Sequence, residues 1–174
     1  MRKLFLFVLP VLLFCSCRGD DEKNVLFEMP YRVDFEIPAG LNTIEDHYFQ
    51  FKNMDSLLDS LLVFHGYTRD DIGVINPRSA RLTSLFSGET YDFVFEFSLY
   101  LFNGEVNLET HEAFWRTEVP LNTDGILDIP GTLLDATEFF LEPEFSAELR
   151  FDTRLVTNSF VNTQADFIFV VRGK

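Results

Sequence analysis

Cysteine is nearly missing from this chain. Both copies, Cys15 and Cys17, fall within the first seventeen residues, and none follows. No internal disulfide can form beyond that point, and no zinc or iron–sulfur cysteine pattern is present. The three histidines, His47, His65 and His111, lack the close spacing of a helical zinc pair. Positive charge is scarce too: 14 Lys and Arg stand against 28 Asp and Glu, a net charge of −14. That balance argues against nucleic acid and anionic lipid surfaces as partners. There is no Gly-x-Ser-x-Gly elbow and no glycine-rich phosphate loop. The longest apolar run, Leu4 to Phe14, is 11 residues. As a helix it reaches roughly 16 Å, well short of a ~30 Å hydrocarbon core.

What is present begins at the N-terminus. Arg2-Lys3 precedes the apolar run, Cys15-Ser16-Cys17 closes it, and the chain turns polar at Arg18-Gly19-Asp20-Asp21-Glu22-Lys23. This order is the layout of a secretory signal peptide. The terminal cysteine makes the segment resemble a bacterial lipoprotein signal, although Phe14 stands where a leucine is usual. The resemblance covers residues 1–23. It implies cleavage between Ser16 and Cys17 and a diacylglycerol on the Cys17 thiol. Several acyl chains on one residue anchor stably, at ~0.8 kcal/mol per buried methylene. Arg18 occupies the place where an aspartate would imply inner-membrane retention, so the resemblance implies the outer membrane. The cluster Asp20-Asp21-Glu22 is similar to surface-export signals of Bacteroidota lipoproteins. It reads equally well as a solvated tether.

Three parts follow: a signal peptide at 1–16, a polar tether at 17–24 and one domain at 25–174. About 158 residues remain after cleavage, enough for a domain that buries its own core. Losing Arg2 and Lys3 leaves 12 basic residues against 28 acidic ones, a formal charge of −16. Phenylalanine is the outlier, with 21 copies against one Trp and five Tyr. Phe lacks the polar handle that sugar-binding faces and protein hot spots favour, so its excess points to an aromatic core. A Phe-lined cavity for an apolar ligand is the sharper alternative.

Beyond residue 25 the dominant period is two. Tyr31, Val33, Phe35 and Ile37 alternate with charged residues and stop at Pro38-Ala39-Gly40. The same alternation marks strands at 47–52, 80–86, 91–102, 112–119, 126–129, 145–151 and 165–172. Leu57, Leu58, Leu61 and Leu62 recur at helical spacing, which predicts a helix from an Asp55 cap to a Gly66 stop. Asn76-Pro77 reads as a loop, Asn103-Gly104 as a hairpin turn, and 133–141 as either a short helix or a strand. The predicted fold is mostly β: an antiparallel β-sandwich, or barrel-like variant, of about eight or nine strands with one short helix.

No constellation carries a reaction. Glu96, Glu112, Glu118, Glu144, Glu148 and Asp152 alternate with apolar partners, as on the solvated face of a strand. A glycosidase pair among them would rest on composition alone. Asn122-Thr123-Asp124-Gly125 with Asp128 lacks the ligand run of a calcium loop and reads as a turn. Asp55-Ser56-Leu57 and Asp59-Ser60-Leu61 resemble the O-glycosylation motif of Bacteroidota proteins. Tyr31, Arg32, Trp115 and Arg116 are a candidate polar-aromatic patch that nothing in the sequence brings together. The expectation is a lipoprotein anchored at Cys17, on the surface or the periplasmic side of the outer membrane. Its role is non-catalytic binding or assembly, without metal or cofactor. An envelope protein or a polysaccharide is the expected partner. A carrier of a hydrophobic ligand and an envelope hydrolase acting on glycans are the alternatives.

Overall fold

The computed structural model describes residues 24–86, 88–104 and 111–174. The signal peptide, Cys17 and all of the tether except Asn24 lie outside them. Eight strands form two four-stranded antiparallel sheets. In chain order they are β1 (Val25–Ile37), β2 (His47–Asp55), β3 (Ile72–Ser84), β4 (Val94–Phe102), β5 (Glu112–Arg116), β6 (Ile126–Pro130), β7 (Glu144–Thr153) and β8 (Val161–Gly173). One sheet runs β1-β8-β3-β6, the other β2-β7-β4-β5. Apart from the β4–β5 hairpin, each successive strand crosses to the opposite sheet. This is the jelly-roll arrangement of a sandwich. Between β5 and β6 the two sheets also meet edge to edge. Phe114 bridges Gly131, and the Thr132 amide donates to the Ala113 carbonyl at 2.9 Å. A Cβ at Gly131 would overlap the Pro77 carbonyl, so this corner requires glycine.

The core fills the space between the sheets, and its aromatic rings pack on one another. Phe140, Phe145 and Phe169 surround Tyr31 at centroid distances of 5.1–6.0 Å. Phe151 touches Phe35, Phe49 and Phe97. Each buried side chain of this kind contributes about 1.5–3 kcal/mol, and well-set ring pairs add about 0.5–1.5 kcal/mol. Among the described residues, the buried core runs from Phe27 to Val171.

Two helices cap one end of the sandwich, α1 (Leu58–His65) and the short α2 (Thr137–Leu141). Helix α1 ends at Gly66 as expected, with φ +78°. It starts two residues later than expected, with Leu57 and not Asp55 at the N-cap. Asp55 is still paired with Glu144 in β2, and Ser56 is tied down by Pro143 and Phe140, so Asp55 cannot cap the helix. Asn76-Pro77 is not a loop but part of β3. Its missing N–H is accommodated beside a register shift between Pro77 and Ser79, where β6 does not yet pair. A second register shift, between Val94 and Glu96, turns Val94 inward and leaves Phe95 half-exposed, against the simple alternation of that segment.

The registers Val25–Arg172 and Ile37–Val161 fix the ends of the molecule. The described chain enters and leaves at the end that carries α1 and α2. The segments following β1, β3, β5 and β7 gather at the opposite end.

Candidate functional site

The outer face of the β2-β7-β4-β5 sheet carries the densest polar and aromatic cluster. In β7, Phe145, Ala147, Leu149 and Phe151 point to the core, so Ser146, Glu148 and Arg150 face outward. The register then lays two rows across the sheet. One is Tyr48–Arg150–Ser98–Trp115, running over all four strands. The next is Gln50–Glu148–Tyr100–Glu112. At ~4.8 Å per strand, Tyr48 and Trp115 stand about 14 Å apart. Both are exposed.

Between them lies a built network. The Glu148 side chain is only 5% exposed. Its carboxylate accepts from Gln50 Nε2 at 2.7 Å and from Arg150 Nε at 3.0 Å. A carboxyl group loses much of its hydration when buried, and here Gln50 and Arg150 supply donors in place of the water. The Arg150 guanidinium is clamped between two rings, 5.0 Å from the Tyr48 centroid and 4.9 Å from that of Tyr100. Among the described residues its two Nη nitrogens have no hydrogen-bond partner. The Tyr100 hydroxyl donates to Glu112 Oε1 at 2.9 Å. Burial, more than the neighbouring carboxylate, raises the Tyr100 pKa and keeps the phenol a neutral donor. A guanidinium held between two tyrosines, with free donors and with exposed Tyr48 and Trp115 on its row, can take ligand hydroxyls on its edge while the exposed rings take apolar ligand faces.

This corrects the expected solvated face at Glu148, which is buried. Glu118 and Glu144 are exposed as expected, and Glu96, Glu112 and Asp152 are intermediate. The candidate patch of Tyr31, Arg32, Trp115 and Arg116 is split. Tyr31 is buried and donates to the Ser56 carbonyl. Tyr31, Arg32 and Arg116 nonetheless line one groove of about 760 Å³ over the β1-β8-β3-β6 sheet, which Arg116 reaches from β5. Trp115 alternates to the other side of the sandwich. Nothing in the sequence placed Gln50, Glu148 and Tyr100 together, because residues 50 and 148 meet only through long-range register. The weak signal available was a Tyr, a Glu and an Arg on polar positions of strongly alternating segments.

The histidines lie apart. His47 Nε2 sits 2.8 Å from the Asn42 carbonyl, His65 stacks on Phe27, and His111 packs on Phe139. Among the described residues no group of three or more His, Cys, Asp or Glu side chains is placed to hold a metal. The residue 122–125 segment is a turn, whose Thr123 amide bonds to Asp92, and Asp128 pairs with Arg81. Of the two serine motifs, Ser56 is buried with its hydroxyl donated to the Phe140 carbonyl, while Ser60 is exposed on α1. No described helix is long and apolar enough to cross a membrane.

No family model matches the chain, and no curated protein matches it. Among solved structures it is similar to a chain of Desmodium yellow mottle tymovirus, at 13% identity and a TM-score of 0.28, over 84% of this chain and 88% of that one.

Proposed function

We propose that this protein is a lipid-anchored, non-catalytic binding module of the bacterial outer membrane, held through Cys17, whose Tyr48–Trp115 face takes up a polysaccharide. Sugars present apolar C–H faces and rings of hydroxyls. They call for exposed aromatic platforms beside planar polar groups held rigidly in place. One observation carries the reading: the buried Glu148 carboxylate, bonded to exposed Gln50, holds half-buried Arg150 on the row between two exposed aromatic side chains, Tyr48 and Trp115. Fixing those polar groups before the ligand arrives lowers the ordering cost of binding. Affinity electrophoresis through gels cast with envelope and extracellular polysaccharides tests it. The wild-type protein is expected to be retarded by at least one polymer, and Arg150→Ala to migrate freely. Equal mobility of both proteins in every gel sinks the proposal. Protease shaving of intact cells, comparing wild type with Cys17→Ala, assigns the side of the membrane. Identical fractionation of the two overturns the anchor.

A hydrolase acting on glycans is the second reading, favoured by one observation. Glu148 and Glu112 occupy one cross-strand row two strands apart, about 10 Å at the usual spacing. That approaches the carboxylate separation of inverting glycosidases. New reducing ends released from a bound polymer, and lost in both Glu112→Gln and Glu148→Gln, would establish it. Binding without release excludes it for that polymer.

A further inference from the structure

We infer that the α1 end of the sandwich is a membrane-contacting surface, with Val63 and Phe64 seated in the interfacial layer of a zwitterionic phospholipid bilayer beside the anchor. The inference rests on acylation of Cys17. Among the described residues, the four most exposed large apolar side chains are Leu133 at 100%, Ile44 at 91%, Val63 at 81% and Phe64 at 80%. Two of them, Val63 and Phe64, are adjacent on α1 near the start of β1, and Leu133 lies beside Val25. Helix α1 buries Leu58 and Leu62 against the core and leaves Val63 and Phe64 to solvent. The Phe64 ring packs on His65, whose ring stacks on Phe27 at 4.9 Å, two residues into β1. Leu133 lines a groove with Val25, the first residue of β1.

Reach commits this surface to lipid. Arg18 to Asn24 is seven residues, ~25 Å at full extension. An acylated Cys17 therefore holds the α1 end within one tether length of the headgroups. Val63, Phe64 and Leu133 offer no polar handle to a sugar, whereas an exposed apolar helix face next to a bilayer partitions into its boundary layer. Charge selects the lipid. A cleaved chain with a formal charge of −16 is repelled by anionic headgroups, so the surface is zwitterionic. The carboxylate nearest the wedge on its own helix, Asp59, is neutralised by a two-pronged ion pair with Arg69 at 2.7 and 2.8 Å. Docking also has a consequence for the binding face. Tyr48 is the second residue of β2 and Trp115 the last but one of β5, at the end remote from α1, so a seated α1 holds that row away from the bilayer.

The test uses the chain from Cys17 onward, coupled through that single thiol to a maleimide lipid in phosphatidylcholine–phosphatidylethanolamine vesicles. A Trp115→Phe background carries Phe64→Trp as the probe. With lipids brominated near the headgroup, emission of the introduced indole is expected to shift to the blue and fall at least two-fold. Adding Val63→Asp is expected to reverse both changes. Water-like emission without quenching on tethered vesicles overturns the inference. Mass spectrometry of the N-terminal peptide from cells separates this from the anchor itself. A free Cys17 thiol removes the reading on which the inference rests, whatever the tethered vesicles show.

Discussion

The two sheets present opposite solutions on their outer faces. The β1-β8-β3-β6 sheet carries Arg32, Asp166, Arg81 and Asp128 in direct register across all four strands. Signs alternate, and Arg32–Asp166 and Arg81–Asp128 close at 2.7 and 2.6 Å. Each charge there is answered by its neighbour in water. On the other sheet the equivalent row puts one guanidinium between aromatic rings over a buried carboxylate, leaving donor nitrogens free. A self-complementary ladder presents little that a ligand could complete. A network with surplus donors and exposed aromatic rims does. Both faces contain Arg and Asp or Glu at alternating positions, so composition does not separate them; burial and register do.

The sharpest way to break the comparison is to remove the central carboxylate of each face. Glu148→Ala leaves Gln50 and Arg150 without their buried acceptor and is expected to lower stability by about 3 kcal/mol. Asp166→Ala removes an exposed ion-pair partner and is expected to cost under about 1 kcal/mol, less still in high salt. Urea unfolding of the two variants checks this, and equal losses would erase the distinction drawn here.

The core shared by both faces should fail in alkali. Burial is the main cause that pushes the Tyr31 and Tyr91 phenols far above their usual value near 10. Below ~10 both states hold the proton and stability is undiminished. Above it the unfolded chain ionises while the folded one resists. Each tyrosine then lowers stability by about 1.4 kcal/mol per pH unit. Urea midpoints at pH 8, 10 and 11 should show a fall only beyond the second point, and Tyr31→Phe should make it shallower.

A smaller effect separates binding from folding. Trp115→Ala is expected to weaken polysaccharide retention about ten-fold, or about 1.4 kcal/mol, with an unfolding midpoint close to wild type. The smallest effect should come from Arg81→Ala on the ladder face. It is expected to leave retention unchanged and stability within about 0.5 kcal/mol. Loss of binding there would shift the site to the wrong sheet.

Much of the architecture was legible because period two survives wherever one side of a strand is buried. Tyr31 to Ile37, Phe145 to Phe151 and Ala165 to Val171 read as strands and are strands. Gly66 stops α1 because its backbone turns left-handed there. The misreadings share a cause: tertiary pairing overrides a local signal. Pro77 looks like a breaker until a register shift beside it absorbs the missing N–H. Asp55 looks like a cap until Glu144 claims it for β2. The candidate site was hidden more deeply. Glu148 alternates like any solvated carboxylate, and only its register against Gln50 and Tyr100 buries it. Trp115 and Arg116 are neighbours in sequence and face opposite ways for the very reason that the segment is a strand.

Trp115 offers the most direct test, since it is the chain's sole tryptophan and stands on the proposed face. Its intrinsic emission should be titrated with each polysaccharide that retards the protein in gels. Saturable quenching or a blue shift, abolished by Arg150→Ala, is the result expected if the Tyr48–Trp115 row holds the sugar. Retardation with an emission spectrum that never changes would place the ligand elsewhere and contradict the account.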